Sequence, residues 1–190
     1  CDINNYKLDF LKDNWMKKYE KIICSLQNKQ AIDLGCGLGQ DSAWLSERGF
    51  SVISCDISSI ALNKLKEIYP NAKTLYLDIV DGLPFENNSI GLINANLSLH
   101  YFDMKTTQKI FDDIYSKIEK GGLFIGRMNS DKNDYVNEHS REIEKDYYYD
   151  MKNGKYSRLF NKEQFEVLTT KFSTLVLNED ETVRLGRKKY

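Results

Sequence analysis

Short apolar, β-branched runs alternate along this chain with stretches whose apolar positions recur every three or four residues. The runs at 30–34, 51–56, 73–77, 89–95 and 122–127 predict strands. Between them, Ser58 or Ser59 can cap a helix that puts Leu62, Leu65 and Tyr69 on one face. Asp103 can cap another that carries Ile110, Phe111, Ile114 and Ile118, with Gly121-Gly122 as its stop. This βαβα alternation predicts an α/β fold: a mostly parallel sheet with helices on both faces and ligands at the carboxyl ends of its strands.

The flanks read differently. Residues 8–26 have helical spacing at Leu11, Trp15, Tyr19, Ile22 and Ile23, and Trp15 is either a lid on the ligand site or a core residue. Residues 129–156 are polar and tyrosine-rich, with too few spaced aliphatics to predict another strand, and read as an excursion over the active face. At Asn161 a helix can begin, with Gln164 completing a capping box and Phe160 to Phe165 a hydrophobic staple. The last segment reads as a hairpin: a strand at 173–177, a turn at 178–180 and a return at 182–190. The expectation is one domain over 1–190: an N-terminal helical segment (1–28), a ligand-binding core (30–127), a substrate-side excursion (129–160), and a helix with the terminal hairpin (161–190).

Composition narrows the partners. The 190 residues carry 27 basic and 28 acidic side chains, so the long-range field that draws a protein onto nucleic acid or an anionic membrane is missing. No nucleic acid and no membrane is expected, and the protomer is expected as a monomer or homodimer. Cysteines at 1, 24, 36 and 55 lack both the density of a disulfide framework and the CxxC spacing of zinc sites, which predicts reduced, cytoplasmic thiols and no metal. The chain begins at Cys1 rather than Met, so upstream residues are expected.

The strongest chemical signal is a strand followed by Asp33-Leu34-Gly35-Cys36-Gly37-Leu38-Gly39 and a helix from about Gln40. Glycines permit a sharp turn and a close ligand approach. Dinucleotide sites use GxGxxG to seat a pyrophosphate at a helix N-terminus, whereas the spacing here is GxGxG with Asp33 two residues ahead. That acid opposes a pyrophosphate and suits the cationic aminoacid and sulfonium portion of S-adenosylmethionine. Asp56 closes the next strand, about 20 residues on, where an acid can accept both ribose hydroxyls. Asp78 closes the third strand, placed for the adenine amino group, with Ile79 against the ring. Cys36, inside the turn, reads as a small packed residue, because nothing near it in sequence would lower its pKa.

From about Gln30 to Gly126 these residues resemble the class I S-adenosylmethionine-dependent methyltransferases: motif I at 32–39, the ribose acid Asp56, the adenine acid Asp78, and Asn94 to Leu97 on the fourth strand. Gly39-Gln40-Asp41-Ser42, then Leu45 and Arg48-Gly49-Phe50, resemble the small tellurite-resistance and thiopurine methyltransferase type. The resemblance implies a three-layer Rossmann-like fold with a seven-stranded sheet, its seventh strand antiparallel. It implies S-adenosylmethionine as cofactor, held by Trp15, Asp33, Gly35, Cys36, Gly37, Gly39, Asp56, Ile57, Asp78, Ile79, Asn94 and Ala95.

The acceptor side is less defined. Asn94-Ala95-Asn96-Leu97 departs from the Asn-Pro-Pro-Tyr pattern of enzymes that methylate amino groups of bases or amides, and no carboxylate and histidine cluster suggests magnesium chemistry. A small-molecule acceptor is the expectation. His100 and Tyr101 follow the fourth strand, where an imidazole could take a proton from the nucleophile, or could simply pack. Arg127, ending the fifth strand, could bind an anionic acceptor or pair with Glu142 or Glu144. His139, Arg141 and Tyr147 to Tyr149 could line a pocket or lie exposed, and Arg184, Arg187, Lys188 and Lys189 read as a charged strand edge. Two rival functions share these features, an NAD(P)-dependent oxidoreductase and a cofactor-bound module without activity.

Overall fold

The structure is a computed structural model and describes residues 14–132, 136–179, 182–184 and 187–189. The start of the N-terminal helical expectation, 8–13, lies outside the described residues. The chain divides into two compact units, Cys1–Asn94 with Lys117–Ile125, and Ala95–Ser116 with Gly126–Tyr190.

In the first unit a 3-10 turn, Trp15–Tyr19, leads into helix α1, Glu20–Ser25. Then come β1 (Gln30–Leu34), α2 (Gln40–Ser46), β2 (Ser51–Asp56), α3 (Ser59–Ile68) and β3 (Lys73–Tyr76). Strand β4 (Ile90–Asn96) follows, and after helix α4 (Met104–Lys117) comes β5 (Ile118–Arg127). The five-stranded sheet runs β3-β2-β1-β4-β5, with β1 parallel to both β2 and β4 and β2 parallel to β3. Strand order therefore reverses between β1 and β4, the place where parallel sheets open a crevice at their carboxyl ends. All of β1 beyond Gln30 is buried, as befits a strand covered on both faces. Met16 and Ile23 pack with Ala31, Leu45, Phe50, Val52 and Leu92, so the segment ahead of β1 is part of this core. Ser58 caps α3 by accepting the Ala61 N–H at 3.2 Å. Gly121, at φ 87°, and Gly122 fall inside β5 instead of stopping the helix, which ends at Lys117.

The second unit corrects the sequence reading most. Helix α4 buries Thr107, Ile110, Phe111 and Ile114, and Asp103 caps it through the Thr106 N–H at 2.7 Å. The stretch expected to lack strands holds β6 (Ser140–Glu144), β7 (Tyr147–Asp150) and β8 (Lys155–Arg158), paired antiparallel in the order β6-β7-β8. Tyrosines take the place of the missing aliphatics: Tyr147 stacks on Tyr156 with ring centroids 5.3 Å apart, and Tyr149 lies 4.8 Å from the same ring. Arg158, 1% exposed, is the largest fully buried side chain. It donates to the Phe102 carbonyl at 3.1 Å and the Lys145 carbonyl at 3.2 Å, pairs with Glu144, and lies over the Tyr147 ring.

Helix α5 (Lys162–Leu168) has the capping box of Asn161 and Gln164, and Phe160 meets Phe165 at 5.2 Å as a staple should. Residues 173–177 are not a strand. The terminal hairpin instead joins β9 (Thr182–Arg184) to β10 (Arg187–Lys189), and it forms a separate two-stranded sheet. The expected seven-stranded sheet is thus replaced, among the described residues, by sheets of five, three and two strands. No helix in the described residues is long and apolar enough to cross a membrane.

Candidate cofactor site

The glycine turn is built by backbone hydrogen bonds from β1 to β2: the Gly35 and Cys36 N–H groups both donate to the Cys55 carbonyl, at 2.8 and 2.9 Å. The chain then folds back, and the Gly39 N–H reaches the Cys36 carbonyl at 2.8 Å. Gly37 has φ 53°, and a Cβ built there meets no atom of the described residues, its chain neighbours aside, within 4 Å. The turn thus presents bare backbone to open space, which is what a closely approaching ligand requires.

Asp56 holds the turn from β2. One carboxylate oxygen accepts the Gly37 N–H at 2.8 Å and the other the Ser58 N–H at 2.8 Å. A carboxylate has about four acceptor positions, so two backbone contacts leave capacity for a ligand's hydroxyls. Asp78 accepts the Val80 N–H at 3.1 Å and so caps the 3-10 turn Ile79–Asp81. Ile57 is 56% exposed beside Asp56.

Beneath the turn lies a buried polar chain. Asp33, 1% exposed, accepts the Ser42 hydroxyl at 2.6 Å on one oxygen and the Asn94 amide at 2.7 Å on the other. Ser54 donates to Ser42 at 2.7 Å. Asn94 spends its second N–H on Asp41 at 3.1 Å, and the Trp15 indole N–H reaches both Asp41 oxygens at 3.3 Å. Burial, and then the neighbouring Asp41 charge, push the Asp33 carboxyl up to about 7, against the pull of its donors. Asn94 Oδ1 is buried with no hydrogen-bond partner among the described residues. Next along β4, Ala95 is fully buried.

Asp33 is therefore engaged below the turn and is not an open surface acid. Asp41, Ser42 and Ser54 were not singled out from sequence as site residues. Asp41 lies in the first turn of a helix, where acids are common, and nothing local betrays its partner 53 residues away. Cys36 and Cys55 carry no thiolate character: burial and the Asp33 and Asp56 charges raise both, Cys55 to about 12.

The residues proposed to meet the acceptor lie in the second unit. His100 is 4% exposed, and burial pushes it down to about 4, so the ring is neutral near pH 7. Its Nδ1 is buried with no hydrogen-bond partner among the described residues, and its ring lies 4.2 Å from that of Tyr101, which is itself 44% exposed. Arg127 Nε donates to Asn96 Oδ1 at 2.9 Å, while Glu144 pairs with Arg158 and Glu142 accepts the Asp146 N–H at 3.1 Å. His139 is half-buried beside Glu138, and Arg141 is exposed, whereas Tyr147 is buried. No group of three or more potential metal ligands occurs among the described residues.

Residues 31–122 match the family model described as a methyltransferase domain. Over 96 residues the chain is 29% identical to an uncharacterized methyltransferase of Synechocystis, covering 50% of this chain and 45% of that protein. It is 27% identical to the trans-aconitate 2-methyltransferase of Delftia acidovorans, over 62% of this chain and 44% of the relative. A tRNA N(3)-methylcytidine methyltransferase of Drosophila melanogaster is 29% identical, over 54% and 35%. The matched segment thus spans less than half the length of each of these relatives.

Among solved structures, a methyltransferase of Methanosarcina mazei superposes with a TM-score of 0.76 at 18% identity, covering 91% of this chain and 92% of that one. TehB of Haemophilus influenzae does so with a TM-score of 0.66 at 19% identity, covering 92% and 59%. By sequence residues 31–122 are similar to methyltransferase domains, and the fold is that of solved S-adenosylmethionine-dependent methyltransferases. The backbone at Gly37 and the buried Asn94 acceptor fit S-adenosylmethionine, a ligand that would lie against the turn and bring a cationic donor.

Proposed function

We propose that the protein methylates a small-molecule acceptor, with the cofactor held at the glycine turn of the first unit. The observation that carries the cofactor assignment is Gly37: positive φ, an N–H held by Asp56, and free space where a side chain would be. Asp56 is the acid we assign to the ribose hydroxyls, with Ile57 beside it. Asp78 and Ile79 are assigned to the adenine, and Gly35, Gly39, Asn94 and Ala95 to the walls of the turn.

S-adenosylmethionine, when bound, supplies a methyl group already activated on a sulfonium. The chain's own residues then need only to position and desolvate, because in-line displacement requires alignment more than covalent help. His100 is assigned as the group that can take the acceptor's proton: it is neutral near pH 7, and its buried Nδ1 has no partner among the described residues. Arg127, steadied by Asn96, and Tyr101 are assigned to orient the acceptor.

The near-balance of 27 basic and 28 acidic residues supports a small acceptor over a polyanion, since a tRNA substrate would call for a basic surface. The similarity to a trans-aconitate methyltransferase is consistent with that choice, and the similarity to a tRNA methyltransferase is the competing indication. A cytoplasmic location and a monomeric or homodimeric state belong to the same proposal. The test is transfer of a labelled methyl group to fractionated cell extract. Label in the low-mass fraction supports the reading, and label confined to RNA overturns it.

A further inference from the structure

We propose that Asp41 is a positioning residue for the cofactor's aminoacid end, acting through Asn94. The inference rests on the cofactor site described above. Asn94 has two amide hydrogens and spends both on carboxylates, one on Asp33 at 2.7 Å and one on Asp41 at 3.1 Å. Two acceptors on the same side settle which way the amide faces, because a carboxamide oxygen turned toward either acid would be repelled. Asn94 Oδ1 is thereby turned away from both, and it is the atom left buried with no partner among the described residues. The second carboxylate spends the remaining amide hydrogen, so the amide is held from two sides.

The network consequently leaves one buried acceptor over, the Asn94 carbonyl oxygen on β4, beside Asp33 of β1. A cationic ammonium is the donor that corrects this imbalance, and the aminoacid end of the cofactor carries one. Asp41 is in turn fixed by Trp15, whose indole N–H straddles its two oxygens at 3.3 Å. Trp15 packs against the core of Met16, Ile23, Ala31 and Leu45, so the orientation of Asp41 is anchored in the segment ahead of the sheet. The relay runs from Trp15 through Asp41 to Asn94, and its product is an amide fixed in one orientation beside the turn.

The discriminating experiment compares two ligands. S-adenosylhomocysteine has the aminoacid end, and 5′-methylthioadenosine keeps the adenosine and sulfur but lacks it. Asp41→Asn should weaken S-adenosylhomocysteine by about tenfold, the loss of one charge-assisted contact, and leave methylthioadenosine within about twofold. Trp15→Phe, which keeps the ring and removes the N–H, should weaken the first ligand by about threefold and spare the second. The double variant should be no weaker than Asp41→Asn alone, because both substitutions break the same relay.

Equal weakening of both ligands, or of neither, overturns the positioning role, as does additivity of the two substitutions. A wild-type protein that binds neither ligand overturns the cofactor site itself, and that outcome is distinct. Should Asp41→Asn fail to fold, Trp15→Phe with the two ligands decides alone.

Discussion

Each unit of this protein buries a network of charged and polar groups, and the two networks are balanced in opposite ways. In the second unit the Arg158 guanidinium meets the Glu144 carboxylate, two backbone carbonyls and the face of Tyr147. Its charge and its donors are matched within the fold. In the first unit Asp33 and Asp41 share the single amide of Asn94, whose own oxygen is left over. A network closed upon itself is a staple. One that leaves an acceptor over, beneath a turn with open backbone, suits a ligand that completes it.

That contrast is broken most directly at Arg158. Replacing it with Met keeps the bulk but strands the carbonyls of Phe102 and Lys145 and the partner Glu144, and should cost about 3 kcal/mol of stability. Chemical denaturation measures the loss. The affinity of the molecules that remain folded for S-adenosylhomocysteine should be unchanged, and a parallel fall in affinity would give this network a role in binding.

Gly37→Val is the converse case. The added Cβ meets no atom of the described residues within 4 Å, its chain neighbours aside, so the main cost to the fold is the strain of a branched residue at φ 53°. Binding of S-adenosylhomocysteine should fall by about a hundredfold or more, roughly 2.7 kcal/mol, while the unliganded melting temperature moves by only a few degrees. Near-normal affinity would refute the cradle.

Asp56→Ala falls between these two. It removes the acceptor of the Gly37 and Ser58 N–H groups as well as the proposed ribose contact, and should weaken the same ligand by about 1.5–3 kcal/mol. Calorimetry showing unchanged affinity would remove Asp56 from the site.

How much of this was legible in sequence follows from which interactions are local. Strands β1 and β2 end where the apolar runs end, because a parallel strand buried on both faces has little choice of residue. The Asn161 capping box and the Phe160 staple are contained within six residues, and both formed as read. The three-stranded sheet was missed because counting aliphatics ignores tyrosine, and because a core built around an arginine has no hydrophobic signature. The terminal hairpin was placed about ten residues early, since 173–177 alternates like a strand but finds no partner among the described residues. Within the site, the glycines and Asp56 could be found from spacing alone. The Trp15, Asp41, Asn94 and Asp33 relay could not, because its links span 26, 53 and 61 positions and exist only once β4 lies beside β1.

The smallest expected effect concerns the proton on Asp33, and it sharpens the contrast between the units because only the acceptor-rich network should show it. The carboxyl is pushed up to about 7 by burial and by Asp41, with Cys36, Cys55 and Asp56 the other titratable groups nearby. In the unfolded chain it titrates near 3.8. Between those values the folded protein holds a proton that the unfolded chain has released, so stability falls as pH rises through the window and levels off above it. The unliganded melting temperature should drop between pH 5 and 8 by about 2–4 °C, on the order of 1 kcal/mol, and Asp33→Asn should remove most of that slope. Ligand binding should show the opposite trend, because a cationic ammonium favours the ionised carboxylate: affinity for S-adenosylhomocysteine should rise with pH across the same range, with proton release on binding. Calorimetry in two buffers of different ionisation enthalpy measures that release. A pH-independent affinity together with a flat melting profile would mean that Asp33 stays ionised throughout, and the imbalance attributed to the first network would then be met inside the protein.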